Sequence, residues 1–520
     1  MTAIDLAALE TTLDALPKAF PGPGGLVGVV KDGKIVASRA WGYADLDAGA
    51  PLTAATRMPI CSISKQFTCG VLLAALGEPE QYDARVAEFL PRYEGPMPTL
   101  RQLCDNQSGL RDYWALTVLQ GGLAEQTFAR EHALPLLARM KTGHFTPGSE
   151  YSYCNCNFRI ISEIIESETG QALPDLYRRH IWEPAGMTTA VLTSDTRQPE
   201  DGVIGYEGSD ATGFFPADNG IFWIGDAGIS ASLDDMLAYE AWIDAEREDP
   251  QSLYRRLSEP PRFVDGAPAQ YGYGLAHETI GGVAFTGHAG ALRGFRAHRL
   301  NARSERLSVV VLFNHEADAH GAAEMVARAA MGTPASEPNF IAEEWDGLWL
   351  DEARGLTATL KTGRRAVELG YAVGPQPTEA GPDGALAAAG VRITRDGAGL
   401  VMARPGENTI RALTPLVPID TADGREIAGR YRSEELEAEM QIEARDGGVY
   451  ARFDGLLGTG RFERMAPLAR DVWRLATRRA MDAPAPGDWT LIVTRREDGS
   501  VSGARLGCWL ARQIPYEKTA

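Results

Sequence analysis

The sequence predicts a multidomain α+β protein, in which a domain of antiparallel sheet plus a helical region precedes two small antiparallel β-barrels. A chain of 520 residues is too long for one hydrophobic core. Up to about residue 330 helical and strand patterns mix, whereas beyond it short alternating strands with Asp-Gly turns take over. Residues 332–338, which contain two prolines, have the composition of a linker between these parts.

The first domain is expected over residues 1–333. Residues 25–38 have the pattern of a hairpin with a Lys-Asp-Gly-Lys turn, and residues 294–301 and 307–314 predict two late strands. Strands at both ends of a segment with helices between them favour one antiparallel sheet closed by both termini. The helical patterns lie at about residues 62–76, 125–140, 157–169 and 233–246.

The two barrels are expected over residues 334–417 and 418–520. A weak internal repeat supports them, because Gly347-Leu348-Trp349 aligns with Gly429-Arg430-Tyr431 and two further strand patterns align at the same offset. The second copy is interrupted at residues 477–488 (TRRAMDAPAPGD), which is much longer than an ordinary hairpin loop. Such a loop is either a solvated surface segment or a functional one.

The composition limits the partners and the cellular location that we expect for this chain. A net charge of −19 repels phosphate backbones and anionic membranes, so neither nucleic acid nor a membrane is an expected partner, whereas a cationic substrate group is attracted. The N-terminus lacks the basic start and apolar run of a secretion signal. Six cysteines show no disulfide framework, and the Cys154-x-Cys156 pair is too close for an unstrained bridge. We therefore expect a cytoplasmic location.

A candidate nucleophile is Ser62 in the tetrapeptide Ser-Ile-Ser-Lys. If a helix begins at Ser62, Lys65 lies on the same face, where a buried lysine of lowered pKa can take the serine proton. The helix N-terminus also offers a backbone N–H to an oxyanion. The spacing alone is weak evidence, but among seven lysines only Lys65 has a serine three residues before it.

Two further segments carry side chains that could take part in acyl transfer at Ser62. Tyr153 in Tyr-Cys-Asn could be partly phenolate beside Lys65 and relay a proton, while Asn155 could hold that lysine and a substrate carbonyl. The segment Gly-His-Ala-Gly-Ala supplies His288, Gly290, which would let a peptide lie along the strand, and Ala291, whose N–H would complete the oxyanion hole. Taken alone, each segment is as compatible with a structural role as with a catalytic one.

Taken in order, these segments resemble the penicillin-recognising serine enzymes, on the branch that contains class C β-lactamases and certain D-stereospecific peptidases. The resemblance covers about residues 20–330 and includes residues 58–67 (MPICSISKQF), 103–110 (LCDNQSGL) and 145–155 (FTPGSEYSYCN). It implies that Ser62 is the nucleophile and that Lys65 and Tyr153 transfer protons. One departure is His288, which stands where most relatives have a lysine that attracts a substrate carboxylate.

The complete layout, with two barrels after the catalytic domain, resembles the D-stereospecific aminopeptidases of this family, and that resemblance implies release of a small N-terminal D-amino acid from a peptide, amide or ester. In that case the loop at 477–488 could wall off the site, with Asp482 as the partner of the substrate ammonium; a solvated turn is the plainer interpretation of Asp482. Alternatives are a D,D-carboxypeptidase, an esterase, a β-lactamase, or a penicillin-binding sensor that is acylated without turnover. A non-catalytic scaffold built on the barrels is a further one.

The implied chemistry needs no metal and no cofactor. Residues 315–320 (HEADAH) look like a zinc motif, but the second histidine is one position too late for the same helix face, and we predict a loop there. The expected partners are a small peptide or amide substrate, with β-lactams as candidate inhibitors. The barrels could act as lids or as contacts of a homodimer.

Overall fold

The computed structural model describes residues 4–333, 345–364, 366–372, 374–381, 383–476, 480–482 and 487–519. Most of the predicted linker and part of the loop at 477–488 lie outside the described residues. The helices are α1 Leu6–Ala19, α2 Ser64–Val71, α3 Leu100–Cys104, α4 Tyr113–Leu119, α5 Arg130–Leu137, α6 Asn155–Thr169, α7 Leu173–Tyr177, α8 Glu183–Ala185, α9 Leu233–Glu246, α10 Leu253–Leu257 and α11 Ala319–Met331.

Within the described residues the first domain has thirteen strands, all of which precede α11 in the chain: β1 Gly24–Lys31, β2 Lys34–Asp45, β3 Ala50–Pro51, β4 Met58–Pro59, β5 Val191–Leu192, β6 Tyr206–Ser209, β7 Gly213–Pro216, β8 Ile229–Ala231, β9 Tyr271–Gly272, β10 Leu275–Ile280, β11 Val283–Leu292, β12 Phe295–Ala302 and β13 Leu307–Phe313. Eight of them form one sheet in the order β3-β2-β1-β13-β12-β11-β10-β9. The first and last long strands, β1 and β13, are antiparallel neighbours, so both ends of the segment meet within one sheet as the sequence predicts.

The hairpin between β1 and β2 follows from its turn residues. Asp32 and Gly33 both have positive φ, 52° and 73°, which a tight turn between twisted strands requires and which Asp and Gly tolerate. The sheet has two buried faces. One packs on α1 and α11 through Val309, Val311 and their neighbours, and the other packs on the helical region through Val310 and Leu312.

The segment at 315–320 is only partly the loop that the sequence predicts. The Asp318 carboxylate accepts the backbone N–H of Gly321 at 3.0 Å and so caps the N-terminus of α11. His320 therefore lies in the first turn of a helix, not in a loop. The capping pattern at Asp318 is visible in the sequence, and the prediction missed it.

Beyond the first domain the chain folds into two barrels of antiparallel strands. The first is a closed barrel of eight strands: β14 Gly347–Asp351, β15 Leu356–Thr362, β16 Val367–Gly370, β17 Pro375–Ala380, β18 Leu386–Ala388, β19 Val391–Asp396, β20 Gly399–Arg404 and β21 Thr409–Pro415. The second comprises β22 Gly429–Ser433, β23 Ala438–Arg445, β24 Gly448–Gly455, β25 Gly458–Thr459, β26 Glu463–Ala469, β27 Val472–Leu475, β28 Trp489–Arg495, β29 Val501–Cys508 and β30 Ala511–Lys518.

Pairing of β23 with β24 closes the second barrel, and β25 is appended to β24. The repeat detected in the sequence falls on equivalent strands, because β14 and β22 begin the two barrels and are each followed by the matching hairpin partner. The predicted fold class, an α+β domain followed by two barrels, is therefore confirmed.

The second barrel is docked on the first domain by buried polar contacts. Arg111 and Glu435, both almost fully buried, form an ion pair of 2.7 Å between Nη1 and Oε1. Gln120 at the end of α4 donates to the carbonyl of Leu436 at 2.8 Å and accepts the N–H of Leu456 at 2.8 Å. Buried polar groups paired in this way hold one relative position of two domains, because any other position leaves them without partners.

Two properties bear on the environment of the protein. All six cysteines are free thiols and all are buried. Within the part of the chain that the structure describes, no helix is long and apolar enough to span a bilayer.

Candidate active site

Ser62 lies in a tight turn that leads into α2. Residues Cys61–Ile63 form a 3₁₀ turn and the α-helix begins at Ser64, two residues later than the sequence predicts. Cys61 has φ of 52°, a left-handed conformation that costs energy for a residue with a side chain. The residue that follows, Ser62, lines a cavity.

Strand β11 presses against this turn at Gly290. A Cβ atom added to Gly290 would lie 2.5 Å from the carbonyl oxygen of Ile60 and 3.1 Å from the Cβ of Cys61. The sequence predicts that Gly290 lets a bound peptide approach the strand. In the structure it is the backbone of the Ser62 turn that occupies the space left by the missing side chain.

Lys65 is fully buried and its ammonium has three acceptors. Nζ lies 3.0 Å from Ser62 Oγ, 2.8 Å from Asn155 Oδ1 and 2.6 Å from the carbonyl oxygen of Asp226. Burial lowers the pKa of Lys65 to about 8, although the nearby carboxylates of Asp226 and Asp112 oppose the shift. The predicted placement of Lys65 beside Ser62 and Asn155 is therefore what the structure has, with a pKa suited to accepting a proton near neutral pH.

Two buried carboxylates, Asp112 and Asp226, support this lysine, and the sequence analysis missed both. Asp112 Oδ2 accepts the backbone N–H of Asn155 at 2.5 Å and its side-chain amide at 3.0 Å, and burial raises the pKa of Asp112 to about 6. Asp226 Oδ2 accepts the hydroxyl of Tyr113 at 2.8 Å, and burial likewise raises its pKa. Asp112 caps the N-terminus of α4, which is the one signal that could have indicated it.

Tyr153 precedes α6 and its ring lies 5.0 Å from Lys65 Nζ, measured to the ring centroid. Burial raises the pKa of Tyr153 well above its ordinary value, and a hydrogen bond with Ser62 opposes that shift without reversing it. The direction of this shift favours the neutral phenol over the partial phenolate that the sequence suggests.

His288 lies on β11 and faces the same cavity as Ser62. Its Nε2 is 2.8 Å from the hydroxyl of Tyr271, and its Nδ1 contacts the carbonyl oxygen of Ala289. Burial and the charge of Lys65 lower the pKa of His288 to about 3, so the ring is neutral. These partners fit the tautomer in which Nδ1 donates and Nε2 accepts the Tyr271 proton.

Ser62, Tyr153 and His288 line one cavity of about 370 Å³, a size suited to a small ligand. Lys65 is not part of the lining and reaches the cavity only through its contacts with Ser62 and Asn155. Part of the cavity wall comes from the second barrel. The residues contributed by the first domain include Ser62, Asp112, Tyr153, Asn155, His288, Gly290 and Ala291, and those contributed by the barrel are Ala480, Asp482, Trp509 and Leu510. The site is therefore built from two domains.

Asp482 belongs to the described part of the long loop. Its carbonyl oxygen accepts the backbone N–H of Arg293 at 2.9 Å, immediately after β11, and the preceding Met481 is buried in the main core. Burial raises the pKa of Asp482 to about 8, and the carboxylates of Asp112 and Asp226 add to the shift. The described part of this loop therefore forms part of the cavity wall.

A catalytic domain of this architecture, with a serine and a lysine three residues apart at the start of a buried helix and a tyrosine beside them, defines a serine hydrolase of the penicillin-recognising class. Sequence comparison agrees. A family model described as Beta-lactamase matches residues 12–331, and one described as D-aminopeptidase, domain B matches residues 340–517.

The chain belongs to the β-lactamase family and, within it, to the group of full-length relatives named D-aminopeptidase. One such relative, from Cereibacter sphaeroides strain KD131, is 65% identical over 516 residues, which is 99% of both chains. Another, from Brucella melitensis biotype 2, is 46% identical over 521 residues and covers 100% of both.

Solved structures support the fold. An octameric penicillin-binding protein homologue from Pyrococcus abyssi aligns with a TM-score of 0.55 and 19% identity, over 89% of this chain and 100% of that one. A D-stereospecific amidohydrolase from Streptomyces sp. aligns with a TM-score of 0.51 and 23% identity, over 64% of this chain and 100% of that one.

Proposed function

We propose that this chain is a D-stereospecific aminopeptidase, which releases a small N-terminal D-amino acid from peptides, amides or esters through an acyl-enzyme on Ser62. The full-length relatives named D-aminopeptidase support the activity. Ser62 and Tyr153 in one cavity, with Lys65 in contact with Ser62 behind it, support the chemistry.

The observation that carries the aminopeptidase assignment is the position of Asp482. An aminopeptidase must bind a free ammonium and must close the site just beyond the first residue of its substrate. The segment around Asp482 forms part of the cavity wall and brings a carboxyl group into it. In this proposal the ammonium of the substrate binds that carboxylate through a charge-assisted hydrogen bond.

Acylation begins at Ser62. The neutral amine of Lys65, 3.0 Å away, takes the Ser62 proton as Oγ attacks the carbonyl carbon of the N-terminal D-residue. The backbone N–H groups of Ser62 and Ala291 stabilise the resulting oxyanion. The C–N bond then breaks, and Tyr153 gives its proton to the leaving amine and regains one from Lys65.

Deacylation reverses these roles. Water enters where the amine left, and Tyr153 accepts a proton from it while passing its own proton to Lys65. The hydroxide attacks the ester carbonyl, and Lys65 returns a proton to Ser62 Oγ as the C–O bond breaks and the free D-amino acid leaves. Asn155 keeps Lys65 in position through its 2.8 Å contact, and Asp112 in turn holds Asn155. In this proposal His288 keeps Tyr271 in place and does not attract a carboxylate, since its pKa of about 3 leaves it neutral.

The neutral His288 also distinguishes the alternatives. D,D-carboxypeptidases and β-lactamases act on substrates with a carboxylate, and the cationic lysine that would attract it at this position is missing. We therefore expect slow acylation by β-lactams, so that they are weak inhibitors and not substrates. A homodimer and a cytoplasmic location remain predictions.

The deciding experiment compares kcat/KM for four substrates: D-alanyl and L-alanyl p-nitroanilide, N-acetyl-D-alanyl p-nitroanilide, and N-acyl-D-Ala-D-Ala. The proposal expects the free D-alanyl compound to exceed each of the others by at least about a hundredfold. Equal kcat/KM for the acetylated and the free D-alanyl compounds would contradict the proposal. Ser62→Ala, which cannot be acylated, serves as the inactive control.

Asp482→Asn tests the carboxylate by itself. Losing a charge-assisted bond costs about 1.5–3 kcal/mol, which is roughly 10–150-fold in kcat/KM for the free D-alanyl compound. The acetylated compound should gain or stay unchanged. Asp488→Asn is the matched control, because Asp488 follows in the same loop but pairs with Arg474 at 3.5 Å and does not line the cavity. A uniform loss on both substrates would show that Asp482 is structural.

A further inference from the structure

A second polar cluster lies on the face of the sheet that packs against α11. It comprises Glu278 on β10, His298 on β12 and His320 in the first turn of α11. One ligand atom from each of these three side chains lies within 4.8 Å of those from the other two. His298 and His288 occupy neighbouring strands but opposite faces, because His298 pairs with Ala289. The cluster is therefore separate from the cavity around Ser62.

His298 has no satisfactory partner. Its side chain is only 5% exposed, and neither imidazole nitrogen has a hydrogen-bond partner among the described residues. The carboxylate oxygen of Glu278 is 3.7 Å from His298 Nε2, too far for a hydrogen bond. An unpaired buried polar group costs about 1–3 kcal/mol, so a ligand that pairs with this ring would stabilise the fold.

The distances within the cluster fit a metal ion. In a tetrahedral zinc site with bonds of about 2.0–2.2 Å, neighbouring donor atoms are about 3.3 Å apart. Here Glu278 Oε2 is 2.9 Å from His320 Nε2, and Glu278 Oε1 is 3.7 Å from His298 Nε2. Small side-chain movements would bring all three to bonding distance. Two imidazoles and one carboxylate form a donor set that zinc and similar divalent transition ions prefer.

We propose that Glu278, His298 and His320 bind one zinc-type divalent ion, with water in the fourth position. The side chains of Glu278 and His320 are 25% and 45% exposed, which gives the ion a path from solvent. The carboxylate of Asp318 adds negative charge close to the cluster. The two histidines of the 315–320 segment do not act together; His320 instead combines with residues of the sheet.

The bound ion is structural. It joins α11, the helix that ends just before the predicted linker, to two strands of the main sheet, and so it opposes detachment of the C-terminal end of the domain. Since the cluster and Ser62 lie on opposite faces of the sheet, the ion takes no part in acyl transfer, and its presence should leave kcat/KM for the D-alanyl compound within about twofold.

The test uses the full chain after chelator treatment. Equilibrium dialysis against Zn²⁺ and Co²⁺ with elemental analysis should give one ion per chain, and Mg²⁺ should not compete. At a hundredfold excess of Zn²⁺ over its dissociation constant, the thermal unfolding midpoint should rise by an amount on the order of 5 °C.

His320→Ala is the primary variant because this side chain is partly exposed and its removal leaves the core intact. It should bind Zn²⁺ at least about tenfold more weakly and lose the rise in midpoint, and Glu278→Gln should do the same. His180→Ala, which removes a histidine outside the cluster, is the matched control and should behave as the parent. The proposal is overturned if the parent retains no more ion than His320→Ala, or if both cluster variants bind as tightly as the parent.

Discussion

Replacing Gly290 by alanine tests how the Ser62 turn is held. The added Cβ would lie 2.5 Å from the carbonyl oxygen of Ile60, where the closest ordinary carbon–oxygen contact is about 3.3 Å. Relief of this clash therefore requires strand β11 and the turn to separate by about 0.8 Å. Because both clashing atoms are held by backbone, no side-chain rotation can provide the space. Cys61, which already has a left-handed φ of 52°, leaves the turn little freedom to adjust.

The expected effect is large on activity and modest on stability. A displacement of about 1 Å at a reacting group costs roughly a hundredfold in rate, and overpacking a well-packed site costs about 1–3 kcal/mol. We expect kcat/KM of Gly290→Ala for D-alanyl p-nitroanilide to fall by about 10–100-fold, with a fall in the unfolding midpoint of a few degrees. The measurements are initial rates, single-turnover acylation and thermal unfolding followed by circular dichroism.

Gly220→Ala is the matched control, because the nearest atoms to an added Cβ at Gly220 are 3.6 Å away. It should leave both rate and stability unchanged. If Gly290→Ala acylates within twofold of the parent at an unchanged midpoint, contact with β11 does not position the nucleophile. A variant that is folded and stable but slow would support the reasoning.

Three further predictions follow from the site. Burial lowers the pKa of Lys65 to about 8 and raises the pKa of Asp482 to about 8, so both groups lose a proton as the pH rises. We therefore expect kcat/KM for a free D-alanyl amide to rise between pH 6 and 8. A flat pH–rate profile would contradict these protonation states. Asp112→Asn places a donor against the two donors of Asn155 and should lower kcat by about 10–100-fold, measured by steady-state kinetics, together with a fall in unfolding midpoint that corresponds to about 1–3 kcal/mol. Arg111→Met leaves the buried Glu435 without its cationic partner at a cost of about 3–5 kcal/mol in denaturant unfolding, although Glu435 keeps the backbone N–H groups of Lys141 and Thr142. The double variant with Glu435→Gln, which removes the charge and keeps an acceptor for those N–H groups, should recover most of the loss; equal losses would show that the ion pair itself stabilises the interface.

Local sequence patterns predicted correctly those features that depend on residues close together in the chain. The spacing of Ser62 and Lys65 places them 3.0 Å apart because residues at positions i and i+3 share a helix face. The hairpin of β1 and β2 and the strand repeat of the barrels follow from turn residues and alternation in the same way. The start of α2 was misplaced by two residues, since a 3₁₀ turn and an α-helix begin with the same pattern.

The sequence patterns did not predict those properties of the site that depend on how the folded chain buries a residue. The protonation of Tyr153 depends on how completely the folded chain removes it from water, which no neighbouring residue reveals. Asp112 and Asp226 are chemically ordinary acidic residues in the sequence, and only the fold brings them beside Lys65. His320 was set aside because its obvious sequence partner is His315, whereas its partners in space come from two strands.

The second barrel is part of the proposed catalytic site, because it contributes to the wall of the cavity around Ser62. Leu510 in the turn between β29 and β30 accepts the backbone N–H of Asp112 at 2.9 Å, Asp112 holds Asn155, and Asn155 holds Lys65 at 2.8 Å. The same barrel contributes Asp482 to the cavity wall. The lysine proposed to activate the nucleophile and the carboxyl group proposed to select the substrate are thus positioned through one docked domain. Because both contacts would be lost together if that domain moved away, specificity and turnover should fail together when docking fails.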